Sequence, residues 1–274
     1  LRKEKNKKNT SYTVAHSFVL IWRSQTASFI GNLIIVFPLS YLLAYGHKYF
    51  FGHHLTSLAE AHQYLNNQNP LLVPAWWYAC LTGVFLFLSA LITGYVDNSV
   101  RFRNIPARVR EHPLLRKFVK GTRRDKIAIY IDKNLGGFAG NLALGFFLGF
   151  APLIGRSLGI PFDIRHITIS TANFAFGLCG LDNKVPPIEL VTVIIGVLGI
   201  GAFNFLVSFG LAFWVAVRSR GMSLRHYIPV IPLIFRYSLR YPFDFILAPR
   251  RARDLKKIYK ELRTDAQQPT EAVA

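Results

Sequence analysis

Four stretches of the chain run long without a charge. Thr26–Tyr45 is 20 uncharged residues between Arg23 and Lys48, and Pro74–Val96 is 23, opening on Trp76, Trp77 and Tyr78 and closing with Tyr95. Leu135–Gly155 is 21 residues between Lys133 and Arg156, and Leu190–Val217 is 28 between Glu189 and Arg218. A helix needs about 20 mostly apolar residues to cross a hydrocarbon core of about 30 Å, and Trp and Tyr gather at its two interfaces. Each stretch therefore predicts a transmembrane helix. At 1.5 Å per residue the fourth would be about 42 Å long, which predicts tilt, a kink or a portion outside the bilayer.

Two further segments are apolar but interrupted. Ile164–Leu181 is short and holds Arg165, His166 and Asn173, with Asp163 and Asp182 at its ends. Tyr227–Pro249 contains Arg236, Arg240 and Asp244 and is broken by Pro229, Pro232, Pro242 and Pro249. Each Arg at mid-membrane would cost about 2.5–3.5 kcal/mol, so 227–249 is expected to lie on the bilayer surface with its arginines snorkelling. The other segment is decided by charge.

Cytoplasmic loops carry the excess of Lys and Arg. Residues 1–25 hold six, 46–73 one, 97–134 eleven, 156–189 three and 218–274 twelve. If 164–181 crossed, the twelve C-terminal cations would fall outside. With four spans, 29 of the 33 Lys and Arg and ten of the 14 Asp and Glu lie on one side, and the other side is neutral. The segment is accordingly expected to be a re-entrant or interfacial outer hairpin, over about 160–185. Both termini then face the cytoplasm, in a bacterial inner membrane.

An internal repeat agrees with that count. Phe29–Leu33 (FIGNL) matches Phe138–Leu142 (FAGNL), and Gly83–Leu88 (GVFLFL) matches Gly201–Leu206 (GAFNFL). Basic exits follow, Arg101 and Arg103 in one case and Arg218 and Arg220 in the other, at ordered offsets of 109 and then 117 or 118. A direct repeat needs an even number of crossings between copies, and implies halves related by an axis along the membrane normal. The expected organisation is a first half at 1–134 with spans 26–45 and 74–96 and basic loop 97–134. A second half follows at 135–249 with spans 135–155 and 190–217, then a basic and finally polar tail at 250–274.

Composition narrows the function classes. A net charge of +19 on a chain that is 51% hydrophobic, with 23 Phe, 12 Tyr and 4 Trp, excludes a disordered basic tail. Two cysteines exclude a disulfide-stapled secreted domain. The start at Leu1, polar and Lys-rich through Thr10, suggests a fragment or processed form and carries no signal-peptide core. The cytoplasmic cations are expected to meet anionic lipid, since each attracts such headgroups by about 1 kcal/mol; nucleic acid is not needed to explain them.

Several residues are candidates for packing or chemistry. Gly136, Gly140, Gly145 and Gly149 form small-xxx-small pairs suited to close helix approach in lipid. Gly31 and Asn32, with their repeat partners Gly140 and Asn141, are expected at helix contacts. Asn204 stands where the first repeat has Leu86, as a packing amide. In the outer hairpin Asp163, Arg165, His166 and Asn173 are the candidate site for a substrate or lipid headgroup, with Arg165 as the anion ligand. His47, His53, His54, Glu60 and His62 lack the spacing of a metal site, and Cys80 and Cys179 could meet at the outer face. No metal and no cofactor are expected.

The run Gly136–Gly155 (GGFAGNLALGFFLGFAPLIG) and the segment Phe162–Phe176 (FDIRHITISTANFAF) resemble a family of proteobacterial membrane proteins catalogued as site-specific recombinases. The similarity covers about Thr26 to Pro249. Members of that family carry a polar helical region ahead of the membrane part. The resemblance implies DNA recombination, yet no catalytic residue can be carried over. A tyrosine recombinase needs a His-x-x-Arg segment, and no histidine here has Arg three residues on. A serine recombinase needs its serine and arginines in a soluble α/β domain, whereas Arg23–Ser28 lies beside a span. The residues themselves point to a non-catalytic envelope or transport component that engages the bilayer, a protein partner or a second copy of itself.

Overall fold

A computed structural model describes residues 25–160 and 162–219, with Phe18, residues 21–23 and Ile231, Pro232, Ile234, Phe235 and Leu239. The expected interfacial segment 227–249, those five residues apart, and the tail 250–274 lie outside the described residues. Within them every regular element is a helix, and four helices are long and apolar enough to cross a membrane. We label the helices α1 (Ile21–Phe51), α2 (Leu58–Asn66), α3 (Ala75–Phe102), α4 (Ile105–Glu111), α5 (Pro113–Phe118), α6 (Gly121–Leu158), α7 (Ile167–Gly180) and α8 (Pro187–Arg218). Contacts divide the chain into two units, Leu1–Leu55 with Ala212–Ala274, and Thr56–Leu211.

In the first unit, α1 carries no charge between Arg23 and Lys48 and widens to a π-helical turn at Asn32–Val36. Pro38 explains the turn's position. It has no N–H for the carbonyl four residues back, and its ring crowds that carbonyl, which belongs to Ile34 inside the π turn. Gly52, at φ 75°, stops the helix in the left-handed conformation that favours glycine. At the far end of this unit, Phe18 packs edge-on against Phe213, ring centroids 6.1 Å apart.

The second unit holds α3, α6 and α8 as far as Leu211. α3 and α6 run antiparallel, with Asp97 and Thr93 against Gly136, Ser89 and Thr93 against Gly140, and Phe85 stacked on Phe147. α3 and α8 run parallel, since Trp76 lies on Gly199, Ala79 is bonded to Asn204, and Gly83 meets Val207. A small apolar core of Ala75, Ala79 and Ile200, flanked by Val73 and Phe203, sits where α3 begins.

The 32-residue α8 is about 48 Å long, and its first turns run past the start of α3. There Gly196 receives the Gln68 carbonyl, and Asn69 donates to the Thr192 hydroxyl at 3.4 Å. The excess length is thus taken up by a portion beyond the neighbouring span. α6, at 38 residues, likewise exceeds its apolar stretch, continuing back through the basic residues to Gly121.

α7 has 14 residues, about 21 Å, too short for a hydrocarbon core of about 30 Å. It packs on α2, with Gly177 against Leu65 and Ala61, and Gly180 against Thr56 and Ala61. α2 comes from the connection between the first two spans and α7 from that between the last two, so both connections lie at one end of the bundle. A capping box fixes the start of α2. The Glu60 N–H donates to the Ser57 hydroxyl at 3.3 Å and the Ser57 N–H to the Glu60 carboxylate at 2.8 Å. The Ser57 N–H and hydroxyl, both donating to the Glu60 carboxylate, hold its carboxyl below the usual range.

Candidate functional site

The polar residues of the hairpin converge where α7 begins. Gly159, at φ 63°, ends α6, and the chain turns back between the spans until the Arg165 N–H donates to the Thr82 hydroxyl at 2.9 Å. That hydroxyl in turn donates to the Tyr78 carbonyl at 2.9 Å. Asn204, 2% exposed, closes the anchor from the other side. Its carbonyl oxygen accepts from the Ile167 N–H at 3.0 Å, and its amide donates to the Arg165 and Ala79 carbonyls at 2.8 and 2.9 Å. One side chain thus ties α3, α8 and the first turn of α7 together. Buried backbone groups away from water must find partners, and an irregular segment among spans survives only where protein supplies them.

The side chains of this segment are partly committed as well. Arg165 pairs with Asp163 at 2.7 Å, the arginine being 12% and the aspartate 37% exposed. The other carboxylate oxygen of Asp163 accepts from the Ile164 N–H at 2.7 Å. The buried Arg165 Nε has no hydrogen-bond partner among the described residues. His166 caps α7, its Nδ1 accepting from the Thr168 N–H at 3.3 Å, and burial holds its imidazole below the ordinary histidine value.

Of the expected site, the structure brings together Asp163, Arg165 and His166. Asn173 stands nearly two turns further along α7, and no described residue hydrogen-bonds it. Arg165 reaches the aspartate two residues before it, so its charge is met within the hairpin. Thr82 joins the site without having been singled out from sequence. Its only signal there is a hydroxyl inside an otherwise apolar stretch.

The packing candidates divide. Gly136 and Gly140 are buried against α3, and a side chain at either would collide with it. Gly145 and Gly149 are exposed, with nothing within 4 Å of where a side-chain methyl would stand, and Asn141 shares their outward stripe at four-residue spacing. Phe138, Leu142, Phe146 and Phe150 line an adjacent outward stripe of α6. Gly31 also meets open space, and Asn32 opens the π turn of α1. Elsewhere, the His47 ring lies on His53, but among the described residues no three His, Cys, Asp or Glu converge as metal ligands. Cys80 and Cys179 are not joined.

A family model described as site-specific recombinase matches residues 1–248. No curated protein and no solved structure matches the chain.

Proposed function

The chain belongs to the site-specific recombinase family, and from that premise we propose that it acts as a membrane-embedded, non-catalytic envelope or transport component. The observation that carries this reading is the use made of the intramembrane polar groups. Asn204 spends both amide donors and its carbonyl on the hairpin and α3, and Thr82 spends its donor and an acceptor. Groups so committed position backbone rather than attack a substrate. Strand exchange needs guanidinium groups converging on a phosphate beside a hydroxyl nucleophile, whereas Arg165 faces Asp163. On this reading the chain sits in a bacterial inner membrane with both termini in the cytoplasm.

The family match itself favours a second reading, DNA recombination at the membrane. The two part in a single experiment on the full chain, purified in neutral detergent and mixed with duplex DNA. We expect no cleaved or joined product, and loss of the chain in cells should change envelope permeability while leaving inversion of a reporter segment untouched. Cleavage or joining at a defined sequence would establish the second reading in place of the first.

A further inference from the structure

α4, α5 and the first turns of α6 form a built platform at the end of the bundle opposite α2 and α7. α4 turns its Ile105, Pro106 and Val109 inward, and Arg110 pairs with Asp125 of α6 at 3.1 Å while the Arg124 guanidinium donates to the Arg110 carbonyl at 3.1 Å. Leu115 on α5 and Val119 just after it are half-buried, whereas Leu114 and Phe118, one turn apart on the other face, are 62% and 75% exposed. Phe102, where α3 ends, is 92% exposed. Cations surround these apolar tips: Arg101, Arg103, Arg116, Lys117, Lys120 and Arg123 are all exposed. Residues 101–134 hold eleven Lys and Arg against Glu111, Asp125 and Asp132, and Arg110 with Asp125 is the ion pair this stretch forms among the described residues.

We propose that this platform docks on the anionic leaflet of the bilayer, Phe102, Leu114 and Phe118 entering the acyl boundary while the flanking cations hold phospholipid phosphates. The inference rests on the membrane reading above and gives the basic loop a defined surface. Two features favour lipid as the occupant. The platform is continuous with α3 and α6, whose uncharged stretches end at Val96 and begin at Leu135, and exposed leucine and phenylalanine one turn apart beside cations have the side-chain character of an interfacial helix.

The test uses the full chain in mixed micelles of phosphatidylglycerol and phosphatidylcholine, with retained lipid read by native mass spectrometry. The intact chain should retain phosphatidylglycerol preferentially. Arg116→Gln with Lys117→Gln and Lys120→Gln should cut that preference about a hundredfold, at roughly a factor of five for each of the three cations near the surface, whereas Lys117→Arg with Lys120→Arg should keep it. Leu114→Gln with Phe118→Gln, both on an exposed face, should lower retention of both lipids with helicity unchanged. An unaltered preference in the glutamine variant would overturn the proposal. So would binding of duplex DNA, in zwitterionic micelles, that is lost in the glutamine variant while the lipid preference stays. Neither result touches the test of DNA cleavage, so the two readings fail separately.

Discussion

Asn204 is the residue on which the hairpin depends. Replacing it by leucine would leave the Ile167 N–H and the Arg165 carbonyl buried without partners, at about 1–3 kcal/mol each. We expect Asn204→Leu to lower the thermal midpoint in detergent by several degrees and to open the 159–166 segment to protease. Thr82→Val, which orphans a single N–H, should do less, and Asn173→Leu should change little. Equal midpoints for Asn204→Leu and Asn173→Leu would refute this ranking. Asn204 could be noticed in sequence because an amide replaces the Leu86 of the first repeat. Its partners could not be, since all three are backbone atoms, one on a neighbouring helix and two placed by the path of the hairpin. Thr82 was harder still, because a threonine in a span ordinarily bonds back to its own helix, which this one also does.

Among the elements, α6 shows how an apolar window differs from a helix. The uncharged stretch begins at Leu135, but the helix begins at Gly121, because Lys, Arg, Asp and Ala are all compatible with helix and only the bilayer objects to charge. The glycine spacing was readable, but which pair meets a neighbour was not. The five-residue step from Gly140 to Gly145 puts the second pair on a stripe rotated from the first, and only tertiary structure selects the buried one. Gly140→Leu should therefore force α3 and α6 apart and reduce yield and melting temperature sharply, while Gly145→Leu should be tolerated within about 1 kcal/mol, as for a surface position. Comparable losses for the two would contradict the placement. α7 was legible as a non-crossing segment through charge, and its length now supplies a geometric reason.

For the molecule as a whole, the set of four helices long and apolar enough to cross a membrane was the most legible property, because it rests on sums over many residues rather than on any single contact. α2 and α7 share one end of the bundle, and the platform of α4 and α5 lies at the other. Alkaline phosphatase fused after Asn183 should be active, and fusions after Glu111 and Ala274 inactive; activity at Ala274 would refute four spans. The anchor of the hairpin has a consequence for the order in which the protein is made. The Ile167 amide waits for an acceptor 37 residues further along the chain. At about 5–20 residues per second of synthesis, the hairpin has Thr82 and α2 to hold it but waits about 2–7 s for its Asn204 anchor, which arrives only with the last span. A ribosome that stalls before Asn204 therefore leaves a nascent chain with its hairpin unlatched, which makes the final span the checkpoint for assembly and the 159–166 segment the place where quality-control proteases would find an unfinished molecule.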